Sequence, residues 1–261
     1  MSGCTALETV LFEKRRGIAC ITLNRPHVLN AYSVQMRDDL YVVLTAIRDD
    51  DEIRSVILKG AGRAFCAGAD LTEFLTAPSP IAARDIRRER DIYRLLLTLP
   101  QPTIAALHGY IIGSGIEIAL ACDMRVASDD AVFALPETGL GFIPGAGATQ
   151  LLPRTVGRAQ AIKMVLTGTR LKAGEALRIG LVNRVVQHGE LTAYVNRLAG
   201  RLSSMPASVP QFVKQAVNRG LDMPLSHGLR LESRLSMAFR GDGIPRIGVL
   251  VSIPPIGRLA G

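Results

Sequence analysis

TIAALHGYIIGSGIEIALACDMRVAS, residues 103–128, decides the fold class. TIAALHG is a short apolar run ending in glycine, the composition of a strand buried on both faces of a parallel sheet. GSGIEIALAC opens a helix, and MRVAS returns to a strand. A strand, a helix and a second strand in so short a span imply parallel pairing in an α/β fold.

The same rhythm extends to either side. ETVLFEKR and GIACITLN form a hairpin about Arg16-Gly17, with alternating apolar positions in its second strand. Ser33 can cap a helix whose Met36, Leu40, Val43, Leu44 and Ile47 share one face, and which ends over Asp49 to Asp51. SVILKG (55–60) is another buried strand. A glycine-rich stretch follows it, then a polar helix through Leu99 that Pro100 and Pro102 stop. AVFALPE and LVNRVVQ are further strand candidates, and GLGFIPGAGATQ is a loop feeding a helix. Past about residue 187 the pattern is helical only, over 190–204, 207–219 and 225–239. The expected architecture is an α/β core over 1–190 and a helical region over 191–261.

Composition narrows the function classes. With 48% hydrophobic residues in 261, the chain can bury a full core, built mainly on Ala, Leu, Ile and Val because aromatics are 5% and tryptophan is absent. The N-terminus lacks the features of a signal peptide, and the most apolar stretch, Ile104 to Cys122, is interrupted by His108, small residues and Glu117. A soluble, cytoplasmic protein without a membrane partner is expected. Cys4, Cys20, Cys66 and Cys122 form no CxxC pair, and His27, His108, His188 and His227 show no ligand spacing, so no metal is expected. The net charge of +8 suits a phosphate-bearing ligand. Its densest basic segment, ARDIRRERDIYR (83–94), interleaves Asp85, Glu89 and Asp91 at helical spacing and reads as a solvated helix face, with no nucleic-acid partner expected.

Two carboxylates stand out chemically. Glu117 is the sole acidic residue of an apolar segment, and burying an unpaired carboxylate costs on the order of several kcal/mol or forces it to hold its proton. Glu137 follows Pro136 at a strand end and opens a loop with glycines at 139, 141, 145 and 147. Gly113-Ser114-Gly115 lacks the spacing of a GxSxG nucleophile elbow, Ile118 stands where a dinucleotide GxGxxG needs glycine, and no GxxxxGK[ST] loop exists. Hydrolase, dehydrogenase and nucleotidase readings lose their main support. What remains is two places, Gly68-Ala69 and Gly113-Ser114, where backbone N–H groups could meet a ligand and stabilise an oxyanion.

LNRPHVLNAYS (23–33), AFCAGADL (64–71), HGYIIGSGIEIALACDMRVAS (108–128) and FALPETGLGFIPGAGATQLLPRTVG (133–157) stand in the order found in the crotonase superfamily, and the chain resembles an enoyl-CoA hydratase from its hairpin to about residue 239. The resemblance implies a crotonase-like spiral of ββα turns followed by a C-terminal helical oligomerisation region, assembled as a homotrimer or as a hexamer of paired trimers. It implies an acyl-CoA thioester substrate, as in fatty acid metabolism, and no cofactor, since the substrate carries its own CoA. By the same resemblance the N–H groups of Ala69 and Ser114 form the oxyanion hole, and Glu117 and Glu137 are the two catalytic glutamates. Ala67, Asp70 and Leu71, with Gly113, line the substrate groove.

Three departures accompany it. Ser114 replaces a frequent glycine, His27 replaces a frequent lysine, and the ending GDGIPRIGVLVSIPPIGRLAG lacks the usual charged, glycine-containing helix. Other crotonase reactions, such as double-bond isomerisation or hydration-linked cleavage, and a non-catalytic acyl-CoA-binding or RNA-binding role are the alternatives.

Overall fold

A computed structural model of the chain describes residues 3–76 and 89–239. The expectations for residues 83–88 of the basic segment and for the closing segment 241–261 fall outside the described residues. The chain divides into two units, Met1–Ala207 and Ser208–Gly261.

The first unit is built on a seven-stranded sheet. β1 (Gly3–Ala6), β2 (Val10–Arg15) and β3 (Ile18–Leu23) pair antiparallel, and β3 then begins a parallel run through β4 (Ser55–Gly60), β5 (Thr103–Leu107), β7 (Met124–Ser128) and β10 (Arg184–Val186). The β2–β3 turn places Arg16 at φ 50 and Gly17 at φ 75. Positive φ at both central residues is the turn form whose twist matches two antiparallel strands. A smaller sheet has β8 (Val132–Ala134) at its centre, parallel to β6 (Tyr110–Ile112) and antiparallel to β9 (Leu171–Lys172).

Alternation within the parallel strands explains why both faces of the large sheet are covered. Val56, Leu58, Ala105, Leu107 and Ala127 face the main core, which includes Met36, Leu40, Val43, Leu44 and Ile47 of α1 (Val34–Arg48). Ile57, Ile104, Ala106 and Val126 face the other way, onto Leu191, Val195 and Ala199 of α8 (Leu191–Ser203). The helix over 191–203, grouped by sequence with the C-terminal helices, thus lies within the first unit. Ser55 fastens it, its hydroxyl donating to the Ala199 carbonyl at 3.2 Å and lying 2.8 Å from that of Ser203.

Ser33 caps α1 by accepting from the Met36 N–H at 3.1 Å, and Asp49 ends the helix. Buried Asp39 accepts from the N–H and the hydroxyl of Thr9, both at 2.7 Å, and from Gln35 at 2.8 Å. Asp39→Ala is expected to cost about 1–3 kcal/mol, because the Thr9 donors lose their acceptor inside the protein. Thermal unfolding checks this; an unchanged Tm would mean that the Thr9 contact contributes nothing net.

The other helices of the first unit are α2 (Leu71–Thr76), α3 (Ile92–Thr98), α4 (Ser114–Ala121), α5 (Ala148–Val156), α6 (Arg158–Thr167) and α7 (Ala173–Arg178). The second unit has α9 (Ser208–Gly220) and α10 (Leu225–Phe239), packed on each other. Among the described residues no helix is long and apolar enough to cross a membrane.

Candidate active site

The site forms where three stretches of backbone meet. Tyr32 makes an isolated bridge to Ala69: its N–H donates to the Gly68 carbonyl at 2.8 Å, and its carbonyl accepts from the Asp70 N–H at 2.9 Å. In that pattern the N–H of Ala69 faces away from Tyr32. Cys66 bridges in turn to Ile111, with the Ile112 N–H donating to the Cys66 carbonyl at 3.0 Å. The Gly113 N–H then donates to the Ala134 carbonyl at 2.9 Å. These contacts bring the 66–69 segment, the end of β6 and the end of β8 together.

Gly113 turns the chain from β6 into α4 at φ 51 and ψ −116, which a residue with a Cβ avoids. Ser114 follows as the first residue of the helix, where position in the helix leaves its N–H without an intrahelical acceptor. Gly68 lies alongside: a Cβ built on Gly113 would stand 3.7 Å from the Gly68 Cα. The residues predicted to supply the two oxyanion donors are therefore adjacent in the folded chain.

Glu117 stands in the first turn of α4, a helix in which every residue is buried, and is itself 3% exposed. Its Oε1 accepts from the Ala146 N–H at 2.8 Å and the Ala148 N–H at 3.3 Å. These donors belong to the glycine-rich loop entering α5 and replace part of the water the carboxylate loses. The helix N-terminus adds a favourable field for negative charge.

Glu137 opens a 3-10 turn, Glu137–Leu140, just after β8 and Pro136. It is half-buried, and its Oε1 lies 2.6 Å from where a Gly113 Cβ would be. Gly113 is thus required twice, for its backbone angle and for the room it leaves Glu137.

Both glutamates line one cavity of about 690 Å³, together with Ala67, Gly68, Ala69, Leu71, Gly113 and Ser114. Asp70 is not in its wall. The Asp70 carboxylate instead pairs with Arg25 at 2.8 Å and accepts from the Thr72 hydroxyl at 2.6 Å. Burial pushes its pKa up, but the Thr72 and Arg25 hydrogen bonds outweigh burial and hold it below the usual carboxylate range. Asp70 therefore ties the LNRP segment to the AGADL segment. Asn30 supports the same corner, donating to the Ala61 and Ala64 carbonyls at 2.8 Å and accepting from the Arg25 N–H.

Sequence reasoning did not single out Tyr32, Tyr93 and Phe142, which also line the cavity, or Ala146 and Ala148, which hold Glu117. The glycines at 145 and 147 signalled a loop able to approach a ligand, but not that the loop approaches Glu117. Cys66 lies beneath the site, where burial pushes its thiol up to about 12 and keeps it protonated rather than nucleophilic. Among the described residues no cluster of His, Cys, Asp and Glu is arranged to hold a metal.

The chain is similar to known proteins over most of its length. The family model described as "Enoyl-CoA hydratase/isomerase" matches residues 13–242. The short-chain-enoyl-CoA hydratase of Clostridium acetobutylicum is 40% identical over 228 residues, 87% of each chain. The crotonyl-CoA hydratase of Syntrophomonas wolfei is 36% identical over 230 residues, 87% of this chain and 88% of that one. The crystal structure of an enoyl-CoA hydratase from Bacillus anthracis superposes with a TM-score of 0.88 at 34% identity, covering 94% of this chain and 95% of the other. The chain belongs to the enoyl-CoA hydratase/isomerase family.

Proposed function

We propose that this protein is a hydro-lyase that adds water reversibly across the 2,3 double bond of an enoyl-CoA thioester. The observation that supports this best is the pairing of two carboxylates with two adjacent backbone donors around one cavity. Addition of water to a conjugated thioester needs all three parts. The N–H groups of Ala69 and Ser114 take the thioester oxygen as its charge grows toward an enolate. Water loses a proton while its oxygen bonds to C3, and C2 gains a proton as the enolate collapses. Glu117, pinned by the Ala146 and Ala148 N–H groups, orients and activates the water, and Glu137 exchanges the C2 proton. The two share one proton and titrate as a unit. Ala67 and Leu71 border the thioester and the CoA chain, and no cofactor is required.

Isotopic water tests the reaction type. Turnover of crotonyl-CoA in D₂O enriched in ¹⁸O is expected to give 3-hydroxybutyryl-CoA with one deuterium at C2 and one labelled oxygen at C3. A 3-enoyl product with deuterium at C2, its double bond moved to C3–C4 and no labelled oxygen, would instead mark an isomerase.

Assembly into a homotrimer, alone or paired as a hexamer, is part of the same proposal. Leu140 and Ile143 beside the site, and Ile162 and Leu166 one turn apart on α6, are exposed apolar residues of one neighbourhood, linked by the Thr138 hydroxyl donating to the Val165 carbonyl at 2.6 Å. Sedimentation is expected to give three or six times the chain mass of 28.0 kDa, and a monomer would refute it. Free thiols at Cys20, Cys66 and Cys122 support a cytoplasmic location.

A further inference from the structure

The N–H of Ala69 is one end of a chain of hydrogen bonds whose other end is a cation. It shares a planar peptide with the Gly68 carbonyl, and since no peptide bond among the described residues is cis, the two groups point in opposite directions. The Gly68 carbonyl accepts from the Tyr32 N–H at 2.8 Å. The Tyr32 N–H shares its own peptide with the Ala31 carbonyl, which accepts from Arg25 Nη1 at 2.7 Å. Guanidinium, peptide 31–32 and peptide 68–69 are thus joined head to tail, with every donor aimed the same way. Among the described residues no acceptor meets the Ala69 N–H at the far end, and Ala69 lines the cavity that holds Glu117. We propose that Arg25 is a positioning residue, which aligns and polarises the Ala69 oxyanion donor through these two peptide units.

This rests on the hydratase reading above, and it gives the LNRP segment a purpose. Arginine stays charged at any working pH, and each hydrogen bond in a chain polarises the next. The Ser114 N–H has the field of α4 behind it. Ala69 opens no helix, and Arg25 supplies the positive end in its place. The same Nη1 pairs with Asp70 Oδ2 at 2.8 Å, so one nitrogen grips both the template strand and the residue after the donor. The corner is built around that grip. The chain turns back through Leu29 at φ 53 and Asn30 at φ 56, backbone that a bulky side chain such as leucine avoids. Asn30 fastens it, accepting from the Arg25 N–H and donating to the Ala61 and Ala64 carbonyls, each at 2.8 Å. A relay depends on the contact with the Ala31 carbonyl, whereas a plain structural tie depends on the ion pair with Asp70, and the two can be separated.

The experiment compares Arg25→Met, Arg25→Lys and Asp70→Asn with the wild type by two readouts, beside thermal unfolding. One is kcat and KM for crotonyl-CoA. The other is the absorption of bound 4-dimethylaminocinnamoyl-CoA, whose band moves to longer wavelength as its thioester carbonyl is polarised, whether or not it turns over. Arg25→Met is expected to lower kcat about five- to fiftyfold, less than the roughly 10²–10³-fold of deleting a donor outright, with KM within about twofold. The wavelength shift is expected to shrink in parallel. Arg25→Lys keeps a cation with hydrogens for both acceptors and is expected to restore most of the shift. Asp70→Asn breaks the ion pair but keeps the Ala31 contact; it is expected to lower Tm while costing no more than about threefold in kcat, since the ion pair acts on the fold and not on the transition state. Losses in Asp70→Asn as large as in Arg25→Met overturn the proposal, as does an unchanged kcat and shift in Arg25→Met. If Arg25→Met does not fold, Arg25→Gln takes its place, with the same two outcomes. A wild-type protein that shifts the probe but hydrates no enoyl-CoA overturns the hydratase reading alone, provided Arg25→Met still reduces the shift. No shift in the wild type overturns both.

Discussion

Glu117→Gln is expected to reduce kcat for hydration by between about 10² and 10⁴-fold, the usual contribution of a positioned acid or base, while leaving thermal stability nearly unchanged. The stability half follows from the way the carboxylate is held. Its Oε1 accepts two N–H bonds, from Ala146 and Ala148, and the amide oxygen of glutamine accepts the same two. Fold and loop therefore survive, and only the ability to take a proton is lost. Glu117→Ala is different: it removes the acceptor and leaves a hole in a fully buried helix, adding about 1–3 kcal/mol of destabilisation from the orphaned donors alone. Glu137→Gln is expected to cost a similar factor in kcat. The double variant is expected to be little worse than either single one, because groups that share one proton act as a unit. Steady-state kinetics beside thermal unfolding for the four proteins checks this. Multiplicative losses in the double variant would mean that the glutamates act in separate steps.

Gly113→Ala is the second large effect. Its Cβ would stand 2.6 Å from Glu137 Oε1, at a backbone φ of 51 that side chains avoid. Two costs coincide. The strained backbone costs about 1–3 kcal/mol, and the collision pushes Glu137 away while tilting the Ser114 N–H just after it. A kcat loss on the order of 10²-fold or more is expected from disturbing a donor and a proton-transfer group together, with Tm lowered by several degrees. Gly139→Ala is the matched control, since a Cβ there meets nothing within 4 Å, and its kinetics are expected to stay at wild-type level. A fully active Gly113→Ala protein would show that Glu137 is not working from the position seen here.

The large-sheet elements were legible because their signals are local and strong. Ser33 before a one-faced apolar pattern predicted α1 and its cap, and SVILKG and MRVAS match β4 and β7 residue for residue. Of the small sheet only the central strand was legible, AVFALPE containing β8. β6 is three residues and β9 two, too short for any period to register, and β6 follows β5 after only His108 and Gly109. The helical pattern over 190–204 was legible as α8, but a helical pattern does not name its packing partner, and the partner is the back of the large sheet. At the site, Glu117 was conspicuous because its neighbours are apolar. Ala146 and Ala148 were not, since they act through backbone N–H groups. Asp70 shows the converse: its motif was legible, but its carboxylate is taken up by Arg25 and Thr72 rather than by the cavity.

The most direct test mixes the purified wild-type protein with crotonyl-CoA and follows the absorbance of the conjugated enoyl thioester, with the product identified by mass. Rapid loss of absorbance with formation of 3-hydroxybutyryl-CoA, abolished in Glu137→Gln, is the predicted result. Persistent absorbance with short, long, branched and aryl enoyl-CoAs alike, or near-normal hydration by Glu137→Gln, would contradict it.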